Sequence, residues 1–280
     1  MNKIKKILVP TDLSQNAENA MMYAFDLAKK SGARVAVFYS FDRYHTQDGT
    51  YTDVFDLAME SADNALEKHV ADALAKGSYS SVSYNLHTLP GGFMEGMKEI
   101  SDIADADLIV MGTKGATGLK EVWVGSNTVS VIEKIKLPIM VVPAEASLKG
   151  ISKILFMTDL KPINNDTALD MLSEIALLAN AKVRIANVKD EGEHSNWEER
   201  LERSRIGHVL GDGVKHSFHK IENKNVLEGI SKYVENKGDI DMIALVTRKK
   251  NLFQRLFKTE HAKEMAFRSL LPLLILHDNN

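Results

Sequence analysis

Short apolar runs alternate with longer amphipathic stretches along this chain. The first run, residues 7–9, is rich in branched side chains and ends at Pro10, as is typical of a strand buried on both faces of a parallel sheet. Alanine, leucine and methionine then recur at three- and four-residue spacing over 17–30, with Ser14 placed as the N-cap and Gly32 just past the end. This spacing predicts an amphipathic helix after the strand.

The alternation continues through the first half of the chain. Further strands are predicted at 34–39, 81–87, 107–111 and 138–142, and further helices at 54–75, 93–104 and 129–135. Strands that alternate with helices of this length form βαβ units, whose right-handed crossovers place helices on both faces of a parallel sheet. We therefore predict a doubly wound α/β domain, in which ligands bind beyond the carboxyl ends of the strands.

An internal repeat indicates that the chain contains this domain twice. Residues 6–13 recur as residues 153–160, and each is followed by a helical pattern. The segments before Pro138 and Pro272 align without a gap when residue n is paired with residue n + 134. We therefore predict two tandem doubly wound domains, at 1–146 and 151–280.

Composition and charge exclude several classes of protein. The 280 residues are 44% hydrophobic and 26% charged, with a net charge of -3, so no overall cationic surface attracts nucleic acid. Cysteine is absent, which excludes disulfides, thiolate catalysis and cysteine metal sites. The first apolar run is too short for a signal sequence or a membrane span. We expect a cytoplasmic protein with neither a membrane nor a nucleic acid as partner.

Glycines at fixed offsets follow the strand predicted at 107–111. Gly112 and Gly115 are followed, after nine residues, by Gly125 and Ser126. Such glycines let backbone amides approach a phosphate closely, and Ser126 would open the next helix, where free amides and the helix dipole favour an anion. Lys114 could add a cation, or it could be a solvated loop lysine. Gly112 and Gly115 could also be simple turn glycines. The pattern favours a backbone-built phosphate site.

Other phosphate motifs do not fit these positions. No Gly-Lys-Ser/Thr tripeptide of a P-loop occurs, and no Gly-x-Gly-x-x-Gly follows the first strand. In the second half, the aligned positions carry other residues: Val246, Lys249, Thr259 and Glu260. The second domain therefore keeps the scaffold but lacks the glycine pattern.

In these features the chain resembles the universal stress protein family, in the tandem form that has two domains in one polypeptide. The resemblance rests on Gly-x2-Gly-x9-Gly-Ser, on Ile-Leu-Val-Pro-Thr-Asp at 7–12 and on Leu-Pro-Ile-Met-Val-Val-Pro at 137–143, and it covers essentially the whole chain. It implies two Rossmann-like domains of the adenine nucleotide alpha hydrolase type, related by a pseudo-twofold axis and associated through their final strands. It also implies ATP, with Mg²⁺ on its phosphates, as the ligand of the first domain.

The resemblance also implies roles for individual residues. Asp12 would contact the adenine, Tyr39 or Ser40 would give its backbone to the base, and Met111 with Gly112 would lie by the ribose. Asn127, with the glycines and Ser126, would surround the phosphates. The predicted nucleotide-binding set is Pro10, Thr11, Asp12, Tyr39, Ser40, Met111, Gly112, Thr113, Lys114, Gly115, Gly125, Ser126 and Asn127.

Some of these positions depart from the family pattern or allow another role. Tyr39-Ser40 replaces the commoner His-Val, and Asn127 stands where a small or branched apolar residue is usual. Asp12 could also serve as a helix cap, and for Asp159, its repeat, the cap is the favoured role.

Catalytic and metal motifs are lacking in the sequence. There is no serine elbow, no His-Glu-x-x-His and no spaced pair of carboxylates. His216 and His219 fall on a predicted strand at odd spacing, which places them on opposite faces. The basic segment 248–258 has apolar residues at helical spacing, so its apolar face is predicted to pack in the core, with the basic face left for a partner.

These observations lead to one expected function and two alternatives. We expect a nucleotide-responsive stress or regulatory protein that binds ATP in its first domain and is not an efficient enzyme. A slow ATPase and a ligand-free oligomeric scaffold acting through protein contacts are the alternatives. A homo-oligomer and an unidentified protein partner both stay open.

Overall fold

The computed structural model describes residues 4–42, 51–113, 125–164, 166–247 and 271–278. Strands and helices alternate throughout these ranges. The first half contains β1 (Lys6–Thr11), α1 (Gln15–Ser31), β2 (Arg34–Phe41), α2 (Tyr51–Ala75), β3 (Tyr84–Pro90), α3 (Phe93–Ala104), β4 (Leu108–Gly112), α4 (Ser126–Lys134) and β5 (Ile139–Val142). The second half contains β6 (Lys153–Met157), α5 (Asp166–Ala179), β7 (Lys182–Lys189), α6 (Trp197–Leu210), β8 (His216–Glu222), α7 (Val226–Lys237), β9 (Met242–Thr247) and β10 (Leu273–His277).

The chain divides into two compact units. An N-terminal unit comprises residues 4–137 and 141–145, and a C-terminal unit comprises residues 138–140 and 146–280. The strand order is β3-β2-β1-β4-β5 in the first half and β8-β7-β6-β9-β10 in the second. Pairs such as β1 with β2, β1 with β4, and β6 with β7 are parallel. Both halves therefore show the doubly wound α/β architecture that the alternation predicts.

The central strand and first helix follow directly from their sequence pattern. Residues 7–9 of β1 are fully buried, as expected for a strand covered on both faces. In α1 the apolar residues at helical spacing are buried, the Ser14 side chain accepts a hydrogen bond from the Ala17 amide, and Gly32 ends the helix with φ 75°. The predicted cap and stop are confirmed. β3 was predicted at 81–87 but lies at Tyr84–Pro90, so that prediction was wrong at both ends.

The two halves repeat hydrogen bonds as well as topology. Asp107 Oδ2 accepts from the amides of Lys5 and Lys6 at 2.8 and 2.9 Å. Asp241 Oδ2, 134 residues later, accepts from the amides of Ser152 and Lys153 at the same two distances. Each aspartate thereby fastens the start of one central strand to the start of its neighbour. The n + 134 register is thus also a structural equivalence.

Candidate functional site

The predicted site residues of β1, β2 and β4 meet at one edge of the N-terminal unit. Thr11 of β1 is in register with Tyr39 of β2, and both strands end there. β4 lies on the other side of β1 and ends at Gly112. Because the chain runs from β1 outward to β2 and β3 and then returns to β4, the gap between β1 and β4 is a topological switch point, where doubly wound sheets bind ligands.

A tight turn presents Asp12 at this edge. Thr11 Oγ1 accepts from the Leu13 amide at 3.0 Å, and Asp12 Oδ1 accepts from the Ser14 amide at 3.1 Å. Leu13 has φ 63°, which is unusual for a residue with a large side chain. Since Ser14 is the N-cap of α1, Asp12 shapes the turn before the helix and remains exposed to solvent.

His69 stabilises this turn through a buried hydrogen bond, a role that was not predicted from the sequence. Its Nε2 and Thr11 Oγ1 share a hydrogen bond of 3.1 Å, and both side chains are buried. Burial lowers the pKa of His69, a shift that the carboxylates of Glu18, Asp12 and Asp72 partly oppose. His69 lies in α2, 58 residues from Thr11 in the sequence. No local pattern could have identified the pair.

Gly112 is required for close packing rather than for a turn. It belongs to β4 and is not among the residues with positive φ. A Cβ at this position would lie 3.2 Å from both the backbone oxygen and the Nδ2 of Asn16 at the start of α1. The absence of a side chain at Gly112 therefore lets the start of α1 pack closely against the end of β4.

The N-terminus of α4 is fixed beside the end of β4. The Gly125 amide donates to Thr113 O at 2.6 Å, and Thr128 Oγ1 donates to Gly112 O at 3.0 Å. Gly125 is the N-cap and has no side chain that could accept from the first-turn amides. Ser126 and Asn127, the first two helical residues, are exposed. Among the residues that the structure describes, no side chain caps the amides of this first turn, so an anion could bind them.

The remaining predicted residues fall in two groups. Pro10, Thr11, Met111 and Thr113 are buried near the switch point, while Tyr39 and Ser40 are partly exposed at the end of β2. Lys114 and Gly115 lie outside the described residues, as does the basic segment 248–258. Their predicted roles stay predictions.

The C-terminal unit repeats the turn, but the helix after it begins later in the sequence. Leu160 has φ 56°, Thr158 Oγ1 accepts from its amide at 3.1 Å, and Asp159 Oδ1 accepts from the Lys161 amide at 3.1 Å. The helix that follows starts only at Asp166. Residues 161–164 form an irregular connection in place of the first helical turn found in α1.

Long-range hydrogen bonds hold this connection in place. The Asn164 amide donates to Asp278 Oδ1 at 2.9 Å, just beyond β10, and the Ile163 amide donates to Glu202 Oε1 of α6 at 3.2 Å. In the first half Asn19 Nδ2 likewise donates to Pro143 O, just beyond β5, at 2.9 Å. Val246 of β9 is buried, at the position aligned with Gly112. The two units therefore differ in where the helix after the first strand begins and in the residue at this aligned position.

The described ranges contain no candidate metal site. His216 and His219 lie on β8 as predicted, and nowhere in those ranges do three His, Cys, Asp or Glu side chains gather in a way that could hold a metal ion. Likewise, none of the helices that the structure describes has the length and apolar character needed to cross a bilayer.

Comparison with known proteins is consistent across sequence and fold. The model of the universal stress protein family matches residues 3–143. The chain is 32% identical over 145 residues to universal stress protein MJ0531 of Methanocaldococcus jannaschii, covering 50% of this chain and 83% of that protein. It is 28% identical over 163 residues to MJ0577 of the same organism, covering 51% of this chain and 97% of that protein.

The fold of the whole chain is similar to a solved structure. The crystal structure of a universal stress protein from Archaeoglobus fulgidus matches with a TM-score of 0.70 at 17% identity and covers 100% of both chains. At this identity the similarity concerns the fold alone. The predicted α/β fold is confirmed along the chain.

Proposed function

The chain belongs to the universal stress protein family, and we propose that its N-terminal unit binds ATP at the carboxyl ends of β1, β2 and β4. The observation that carries the proposal is the N-terminus of α4, which Gly125 leaves without a side-chain cap and ties to Thr113 at the switch point. We further propose that the protein is nucleotide-responsive and regulatory rather than an efficient catalyst.

The two ends of this edge suit different parts of a nucleotide. The first-turn amides of α4 and the Ser126 hydroxyl can donate to phosphate oxygens, and the helix dipole adds about 0.3–1 kcal/mol for an anion at this end. Asp12, Tyr39 and Ser40 stand at the ends of β1 and β2, where the base would lie. Mg²⁺ would be held by the phosphates, since oxygen atoms are its preferred ligands.

The C-terminal unit should not bind ATP in the same way. Its helix α5 begins only after the connection 161–164, which Asp278 and Glu202 hold by hydrogen bonds. The positions aligned with Gly112, Gly125 and Ser126 also carry other residues, namely Val246, Thr259 and Glu260. We therefore propose one nucleotide site per chain.

The first experiment measures binding and turnover of the purified chain. Mass analysis of small molecules released by heat, and calorimetry with Mg-ATP, should reveal one adenine nucleotide site. At 100 times Kd the nucleotide should stabilise the fold by about 2.7 kcal/mol. No carried nucleotide and no binding at millimolar Mg-ATP would overturn the proposal and favour a ligand-free scaffold. Multiple turnovers would instead indicate a slow ATPase.

A matched pair of variants tests the base end. Asp12→Ala and Asp159→Ala each remove the same 3.1 Å turn hydrogen bond, one in each unit. Both should cost similar stability, but only Asp12→Ala should weaken ATP binding, by roughly tenfold if one charge-assisted hydrogen bond is lost. Equal affinity in the two variants would contradict the placement of the base.

The phosphate end is tested by Ser126→Glu. A carboxylate at the start of α4 favours the helix dipole but repels phosphates. ATP binding should be lost while the melting temperature of the ligand-free protein stays the same or rises. Unchanged ATP affinity would show that the phosphates do not lie at α4.

A further inference from the structure

We propose that the C-terminal unit holds a second ligand site, which takes a small organic anion with a carboxylate or phosphate group. The site is a cavity between α6 and the face of β7 and β8 that packs against it. Its lining includes Ile185, Asn187, Arg203, Phe218, His219 and Lys220. It is independent of the proposed nucleotide site, since it lies wholly in the other unit.

The sheet register explains which side chains face the cavity. Ile185 pairs with Phe218 and Asn187 pairs with Lys220, so these four residues lie on one face of β7 and β8. His219 alternates to the other face, where its ring packs edge-on against Tyr233 of α7 at 5.9 Å. The cavity therefore has an apolar floor at Ile185 and Phe218, and polar groups nearer the carboxyl ends of the strands.

Charge is unbalanced at this face of α6. Glu199 forms an ion pair with Lys189 at 2.7 Å, and Glu202 forms one with Arg205 at 3.2 Å. Arg203, by contrast, forms no ion pair with any acid in the described ranges. The acids nearest in sequence are thus already paired with other cations, and no acid of the described ranges pairs with the guanidinium at the cavity.

Arg203 is also held in a suitable orientation. Its Cζ lies 4.7 Å from the centre of the Phe218 ring, which holds one face of the planar guanidinium against the cavity floor. A guanidinium stacked in this way still directs its N–H groups outward in its own plane, the geometry that binds carboxylate and phosphate with two parallel hydrogen bonds. The cation is preorganised before any ligand arrives.

Lys220 provides a second positive group. It forms an ion pair with Glu222 at 2.8 Å, and both side chains are partly exposed. Surface pairs of this kind contribute at most about 1 kcal/mol, so the ammonium can be shared with a further anion. Two cations at one cavity favour an oxyanion over a neutral ligand.

The size of the cavity limits the ligand. Its enclosed part has room for about one water-sized group, and the rest of its roughly 260 Å³ is open to solvent. A nucleotide cannot be enclosed there. An oxygen atom of a carboxylate or phosphate can enter, while the carbon body of a small ligand would lie in the open mouth.

NMR titration of the full-length protein tests this site. Inorganic phosphate, malonate and 2-phosphoglycolate are added separately to ¹⁵N-labelled protein, which distinguishes phosphate from carboxylate recognition. At least one should cause saturable shifts of amides in β7, β8 and α6. No saturable shift there with any of the three anions at tens of millimolar would overturn the proposal.

Two variants distinguish anion binding at this site from nonspecific electrostatic attraction. Arg203→Met keeps a long side chain over Phe218 and should weaken binding by at least about tenfold, the equivalent of about 1.4 kcal/mol. Lys215→Gln removes an exposed lysine just before β8 and should leave binding unchanged. Spectra without ligand show whether each variant is folded. Equal affinity of Arg203→Met and wild type, or an equal loss in Lys215→Gln, would refute the role of Arg203.

Discussion

Replacing His69 by phenylalanine should loosen the turn that presents Asp12. The ring volume is kept, but the 3.1 Å hydrogen bond to Thr11 Oγ1 is lost. A buried hydroxyl left without any partner costs about 1–3 kcal/mol, but Thr11 Oγ1 still accepts from the Leu13 amide. We therefore expect a loss of about 1 kcal/mol, at the low end of that range.

Hydrogen exchange with mass analysis measures this loss locally. Amides in 7–13 should exchange about fivefold faster in His69→Phe at pH 7.5, which corresponds to about 1 kcal/mol. ATP affinity should fall as well, because the same turn carries Asp12. Unchanged exchange in 7–13 would refute the reasoning, whether or not ATP binds.

The pH dependence gives a second, independent test. The pKa of His69 is lowered, chiefly by burial, so between that value and 6.5 the unfolded chain binds more protons than the folded one. The free energy of unfolding therefore rises with pH across this window, and wild type loses stability as the pH falls. The variant lacks this group, so the stability gap between wild type and His69→Phe should narrow on acidification.

A control variant separates this effect from that of other histidines. Burial also lowers the pKa of His87 in β3. His87→Phe should therefore alter the pH dependence too, but it should leave exchange in 7–13 unchanged. A gap between wild type and His69→Phe that stays constant or widens between pH 7 and pH 5 would contradict the assignment.

Two further predictions concern packing and charge. Gly112→Val should lower the melting temperature, because its Cβ would lie 3.2 Å from the backbone of Asn16. Such overpacking costs about 1–3 kcal/mol. An unchanged melting curve would refute the close approach. Asp239→Asn should cost about 1 kcal/mol in urea denaturation at pH 7, because it weakens bonds of 2.6 and 2.9 Å from Arg184 and a contact with Lys153. These bonds lower the pKa of Asp239 to about 2. The stability that Asp239 contributes should therefore be lost as the pH falls through 3.8 towards 2. A stability difference between wild type and Asp239→Asn that persists at pH 2 would contradict this.

Elements whose signals are local could be predicted from the amino-acid sequence. The run 7–9 predicts a buried strand because both faces of a central parallel strand need apolar side chains. Ser14 and Gly32 predict the ends of α1 because caps satisfy the groups of one helical turn. The n + 134 register was also readable, and it placed Asp107 and Asp241 in equivalent positions.

The tertiary structure decided the features that depend on residues distant in the sequence. β3 lies three residues later than predicted because its register is set by β2, with Tyr84 opposite Val35. The need for glycine at 112 comes from Asn16, 96 positions earlier. Pairing across such distances leaves no periodic pattern in either segment, so it could not be predicted from one sequence.

The difference between the two halves illustrates both kinds of feature, those readable from the sequence and those that depend on the tertiary structure. The sequence determined that the second half lacks the glycines of the first, since an aligned repeat displays the substitution directly. Only the structure showed the hydrogen bond from the backbone of Asn164 to Asp278, 114 residues away. A substitution is visible in an aligned repeat, whereas a bond over this distance depends on how the strands and helices pack.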